Sequence, residues 1–335
     1  MAKRKPDKSG IGRTAKPRLE PIDLSGLRTY SISDRKELVQ VSRLGRPTEA
    51  DDSMKAYLDG LPDILAARGL KEVAAAICDA RENGRPVVMA MGAHVIKCGL
   101  SPFIIDMMER GFITALAMNG AGPVHDFEIA LKGATSEDVA SAIEDGSFGM
   151  AKETAAAIGE AATAAAREGI GLGEAIGRLI NAQRLPNRAV SLLAQAQRLG
   201  IPATIHVAIG TDIIHMHPCV SAADIGRGSH YDFRLACAVV SQLEGGVWMN
   251  VGSAVVLPEV FLKALSVARN LGHRVKDFTT VNMDMLRHYR PQVNVLERPG
   301  GRAYAIIGHH ELMVPLLRMA VLIRSKAGER ERAKP

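Results

Sequence analysis

Apolar positions recur along the chain in two rhythms. Between residues 54 and 82, Met54, Leu58, Leu61, Ile64, Leu65, Val73, Ala76 and Ile77 fall at helical spacing. From Arg85 onward, short apolar runs alternate with helical stretches. The runs cover 86–94, 112–122, 203–212, 247–254, 278–284 and 304–310. The first leads into a helix over 101–110, with Ser101 as its cap, Pro102 in its first turn and Gly111 past its end. The second leads into a helix beginning near Asp126. The fourth leads into a helix with Pro258 in its first turn, and the last into a helix over 311–323. Residues 136–182 are Ala-rich, broken near 169–173, and read as packing helices.

Strand-then-helix alternation at this spacing predicts an α/β fold. Its sheet is doubly wound and mainly parallel, of Rossmann type, with helices on both faces. A glycine follows the apolar run in five of the six units: Gly92, Gly120, Gly210, Gly252 and Gly308. In such a sheet those loops gather at one edge, where ligands bind outside the carboxyl ends of the strands.

Composition changes this picture little. Apolar residues make up 47% and aromatics 4%, so the core is aliphatic. No apolar run approaches the roughly 20 residues that span a bilayer. The N-terminus has no apolar stretch after its charges, and the four cysteines are scattered without a CxxC pair. These features predict a cytoplasmic protein without disulfides. Charge does divide the chain. Residues 1–20 carry seven Lys or Arg against Asp7 and Glu20, which is +5 of the formal +6. The expected organisation is a basic, partly disordered arm over 1–50 and one nucleotide-binding domain over 51–325. That domain has an Ala-rich insert at about 136–200, and a flexible tail covers 326–335. No interleaved aromatics mark a nucleic-acid surface, so the expected partner is a small molecule.

The candidate chemistry sits at the strand ends. Asn119-Gly-Ala-Gly-Pro-Val-His125 joins a strand to a helix, and its glycines would let backbone approach a phosphate at a helix N-terminus. Gly252-Ser253-Ala254 holds the equivalent place in the fourth unit. Histidines gather at two other strand ends: His206, His215 and His217, then His309 and His310. If 215–217 is extended, both rings share a face, and with Asp212 or His309 they offer a divalent-metal set. That is the alternative to an organic cofactor; a nucleotide-binding module without chemistry is a further one. Asp126 and Glu128 follow the glycine loop, where Asp126 serves either the helix N-terminus or a ligand. Cys98 follows Lys97, whose ammonium would favour a thiolate, against the plainer reading of an inert buried cysteine.

At these residues the chain resembles the deoxyhypusine synthase family. Gly92-Ala-His-Val-Ile-Lys-Cys-Gly-Leu-Ser101 is similar to its Thr-Ser-Asn-Leu-Ile-Ser-Ser-Gly stretch, with His94 at the Asn position. Asn119-Gly-Ala-Gly-Pro-Val-His-Asp126 resembles Thr-Ala-Gly-Gly-Val-Glu-Glu-Asp, with His125 at an acidic position. Val251-Gly-Ser-Ala-Val-Val256 resembles a Gly-Gly-Gly-Val-Val run. Val281-Asn282 and Leu312-Met-Val-Pro-Leu-Leu317 match the next strand end and the closing helix. The resemblance spans about 85–320 and implies an NAD-dependent transferase, working as a homotetramer on an amine.

It implies cofactor contacts from Gly92, Ala93, His94, Asn119, Gly120, Ala121, Gly122, Gly252, Ser253, Asn282 and Asp284. His125, Asp212, His309, His310 and Glu311 would face the substrate, with no metal. One departure stands out. The family forms an imine on a lysine in Ser-Trp-Gly-Lys, whereas this chain has no lysine between Lys276 and Lys326. The expectation is therefore an NAD-binding enzyme with a replaced catalytic end.

Overall fold

The structure, a computed structural model, describes residues 40–332 and isolated earlier positions at 22, 25–28, 31 and 34. Most of the basic arm of residues 1–50 lies outside the described residues. The chain divides into a unit of residues 1–41 and a unit of residues 42–335, and the sheet and its helices belong to the second.

The unit opens with α1 (Met54–Gly60), capped by the Ser53 side chain, and α2 (Leu65–Glu82). Strand β1 (Val87–Met91) leads through a single turn, α3 (His94–Lys97), to α4 (Ser101–Glu109). Ser101 is the first residue of α4 rather than its cap; Leu100 holds that place without a side-chain bond. Strand β2 (Ala115–Asn119) feeds α5 (Ala121–Lys132), so the Gly-Ala-Gly-Pro stretch is the first turn of a helix and not a loop. The Ala-rich region then forms α6 (Val139–Asp145), α7 (Lys152–Glu168), α8 (Leu172–Ala182) and α9 (Leu192–Leu199).

Strand β3 (Ala203–His206) is shorter than its apolar run, and a 3-10 turn, Ile213–Met216, follows it. Next come α10 (Ala222–Ser241), β4 (Val247–Val251), α11 (Val256–Asn270) and β5 (Thr279–Asp284). A one-turn α12 (Tyr289–Pro291) runs into a π turn over Gln292–Glu297. Strand β6 (Arg302–Ile307) and α13 (His310–Arg332) close the chain, and α13 extends past Ile323, where the apolar pattern ends it. No helix among the described residues is long and apolar enough to cross a membrane.

The six strands are all parallel, in the order β3-β2-β1-β4-β5-β6. Side chains alternate across a strand, so successive residues enter different cores. Val87, Met89 and Met91 of β1 join Met118, Met249, Val251 and Met283 against α2, α4, α5, the insert and α13. Val88 and Ala90 join Ala115, Ala117 and Trp248 against α10 and α11. The second core holds the aromatic payload, with Trp248 stacked on Phe261 at 4.4 Å. β1, β4 and β5 are buried along their whole length. Helices therefore cover both faces, and the fold is the doubly wound α/β sheet that the alternation predicts.

Candidate active site

The strand order fixes where a site can form. The chain leaves β1 for α4 on one face and leaves β4 for α11 on the other. Neighbouring parallel strands whose connections depart to opposite sides open a crevice at their carboxyl ends. Here the two loops close on each other. Gly92 N–H donates to the Val251 carbonyl and Gly252 N–H to that of Met283, each at 3.0 Å. Gly252 has φ +64°, and a Cβ there would lie 2.7 Å from His310 Nε2, so a glycine is needed for the histidine to pack.

His310 is 1% exposed, and its Nδ1 has no hydrogen-bond partner among the described residues. Burial pushes its pKa down, opposed by the nearby Asp284 carboxylate. The exposed His94 lies beside it, ring centroids 6.0 Å apart. His94 Nε2 is 3.3 Å from Cys98 Sγ, one turn along. The Cys98 thiol is raised by burial and then by Glu311; Lys97 opposes this more weakly, so the thiolate expected from Lys97 is not favoured. His309 and Glu311 are exposed and 3.9 Å apart.

The remaining predicted contacts on this side work by holding backbone. Ser253 Oγ accepts from Leu257 N–H at 3.2 Å in the first turn of α11. Asn250 Nδ2 donates to the Ser253 carbonyl at 2.9 Å and to Asn282 Oδ1 at 2.8 Å. Asn282 is thus tied beneath the loop rather than presented to the crevice. Asp284 Oδ1 accepts from Met285 N–H at 2.8 Å and shapes the turn after β5.

The ends of β1, β2 and β3 frame a cavity of about 220 Å³. Lys97, His125, Glu128, Glu137, Asp212 and Phe148 are among its walls. His125 Nδ1 lies 2.7 Å from Thr135 Oγ1, and the Thr135 hydroxyl donates to Glu128 at 2.5 Å. A hydroxyl has one proton to give, so with Glu128 taking it the oxygen accepts from His125 Nδ1–H. That tautomer leaves His125 Nε2 as a proton acceptor. Burial holds the His125 pKa below the ordinary imidazole value, against the pull of Glu128. That shift favours the neutral ring, as a general base must be.

Asp212 is 7% exposed and its Oδ2 has no partner among the described residues. Burial raises its pKa. A Cβ on Gly120 would lie 1.9 Å from that oxygen. The close approach at Gly120, expected for a phosphate, is thus taken by the chain's own carboxylate at the start of α5. Asn119, at the end of β2, keeps a buried Oδ1 without a partner among the described residues.

Three expectations fall away here. His215 and His217 flank the end of a 3-10 turn and are not extended together. His217 Nε2 instead donates to the Gly149 carbonyl at 2.7 Å, and Gly210 N–H donates to His215 Nδ1. β3 and β6 are opposite edges of the sheet, five spacings of about 4.8 Å or roughly 24 Å apart. One ion cannot bridge His215 or His217 to His309, and no three His, Cys, Asp or Glu side chains among the described residues form a metal-holding group. Asp126 is no ligand group: its carboxylate accepts from Ser191 Oγ and from Leu192 and Leu193 N–H, capping α9. His206 is a core residue bonded to Thr204, its pKa pushed down to about 4 by burial.

Sequence reasoning passed over Lys97 as a cavity wall, Thr135, Glu137 and Asn250. Lys97 was readable, since it lies three residues from His94 on the one turn after β1. Thr135 and Glu137 follow a helix end with no pattern to mark them.

No protein-family model matches the chain. No curated protein matches it either. Solved structures do. A deoxyhypusine synthase candidate from Entamoeba histolytica superposes on 84% of this chain and 97% of its own, with TM-score 0.50 and 11% identity. This chain has a deoxyhypusine synthase-like fold. A cysteine-to-alanine mutant of AgrE bound to L-arginine covers 76% of this chain at 15% identity and TM-score 0.50. AgrE in ternary complex with ornithine and NAD+ covers 77% at 14% identity and TM-score 0.49. The chain spans about a third of AgrE's length, 32% and 33% in the two cases.

Proposed function

We propose that this chain is an NAD-binding enzyme that acts on a small cationic amine. A dinucleotide would lie across the β1–β4 crevice and the amine in the cavity beside it. The observation that carries the reading is the strand order, whose switch point lies between β1 and β4 with polar side chains converging on both sides. The residues present fit such a cofactor in two respects. His94, after β1, and Val255, after β4, are exposed at the adjoining strand ends. Asn119 Oδ1 is a buried acceptor without a partner among the described residues, at the strand end where a ribose hydroxyl is bound in this type of sheet.

When bound, NAD supplies a hydride acceptor. The protein's own residues supply the rest. Glu128, Glu137 and Asp212 face Lys97, the one Lys or Arg lining the cavity among the described residues, so the cavity favours a positive ligand. Asp212 Oδ2, without a partner among the described residues, is the acceptor for an ammonium. His125 Nε2 takes the proton that leaves the substrate, while Thr135 and Glu128 hold the ring.

Calorimetric titration of NAD into the full chain tests this. One site per chain is expected, with affinity falling about tenfold or more in Val255→Asp, which sets a carboxylate beside the cofactor phosphates. His125→Gln should bind NAD normally and lose turnover of amines by about a hundredfold. Absence of binding at millimolar NAD would overturn the reading.

A further inference from the structure

The cavity that holds His125 has one wall unlike the others. Ser136, Glu137, Val139 and Phe148 line it and belong to the segment between α5 and α7. That segment is barely packed: α6 buries no residue, and Val139, Ile143 and Met150 stand exposed. Few buried contacts make a segment easy to open. Yet it is tied down at two points and closed on itself at a third. Thr135, at its start, bonds His125. Glu137 Oε1 accepts from Gly149 N–H at 2.9 Å, closing the segment on itself. The Gly149 carbonyl accepts from His217 Nε2, and Gly149 is buried against Ile213 and Met216 in the turn after β3.

We infer that residues 134–150 are a cap on the cavity, that Thr135 makes the cap the positioning element of His125, and that His217 is its latch. Closure then does two things at once. It walls the cavity with Phe148 and Val139, and it brings the Thr135 oxygen to Nδ1, fixing the proton there and the lone pair on Nε2. An open cap leaves the ring without that partner, and the imidazole redistributes between tautomers. The histidine after β3 thereby acts on the base without touching it. The consequence for turnover rests on His125 being the base; the tautomer itself does not.

The test is nitrogen-15 NMR of the histidine-labelled full chain at pH 8, with the His125 signals assigned by His125→Gln. The wild type is expected as the Nδ1–H tautomer. In Thr135→Val its population falls at least about twofold, and Thr135→Ser restores it. His217→Ala gives the same fall, together with faster amide exchange over 139–148. His217→Gln, which keeps a donor, stays close to wild type. A wild-type Nε2–H tautomer, or no change in Thr135→Val, would overturn the positioning role. An unchanged tautomer in His217→Ala would overturn the latch. Neither result depends on whether NAD binds, so a failed NAD titration and a failed cap are separate outcomes.

Discussion

At the scale of single residues, the chain spends its buried acids on backbone. Asp232 is fully buried; its Oδ2 accepts from Ile205 N–H at 2.8 Å and Gly173 N–H at 3.1 Å. It thus satisfies an amide of the edge strand β3 and one in the first turn of α8. Its Oδ1 has no partner among the described residues, and burial pushes its pKa up to about 7. The sign follows from linkage. The folded state holds this proton more tightly than the unfolded chain, so its stabilisation is complete below the ordinary value of 3.8 and is lost as pH rises through about 7. His206 works the other way, since a buried neutral imidazole destabilises the fold as pH falls toward 4. The clean observable is therefore a difference. The melting temperature of Asp232→Asn relative to wild type should rise between pH 5 and pH 8, because asparagine mimics the protonated acid at every pH. A flat difference would contradict this. Asp126 does the same work for α9, and neither role was legible in the sequence. An acid that caps a helix distant in sequence leaves no local pattern.

At the scale of elements, the apolar runs located every strand, because buried parallel strands are nearly continuous in apolar residues. They located helix starts less well. Glycine, alanine, glycine and proline after β2 resemble a loop, yet proline suits the first helical turn and the glycines allow close neighbours, so α5 begins there. Helix α10 escaped notice because Gly228 and Asp232 interrupt its apolar face. The candidate site was legible in part. His125, Asp212, His310 and Glu311 do stand at strand ends, but in two groups on either side of α3. Gly120 tests the contact between elements. Its φ of −64° suits any residue, so Gly120→Ala should cost about 1–3 kcal/mol in urea unfolding through collision with Asp212 alone. Adding Asp212→Ala should recover most of that loss, a coupling expected of residues in contact. Strictly additive effects would contradict the packing described.

At the scale of the whole molecule, topology determines which residues can cooperate. Spacing along the chain made His215, His217 and His309 look like one set, and the sheet puts them at opposite edges. The converse holds for His94, Gly252, Asp284 and His310, which are far apart in sequence and meet over neighbouring strands. A larger cavity, about 720 Å³, lies between α1, α2 and α13, away from the strand ends. Two ion pairs, Lys55 with Asp59 and Arg68 with Asp63, stand among its walls, beside Arg43, Lys71, Glu72 and Arg324. Hydrogen–deuterium exchange of the full chain with and without saturating NAD separates the two directly. Protection confined to residues 92–98, 119–125 and 252–256 is the predicted result. Protection over residues 55–75 and 320–327 instead, or no change anywhere, would contradict a cofactor at the β1–β4 crevice.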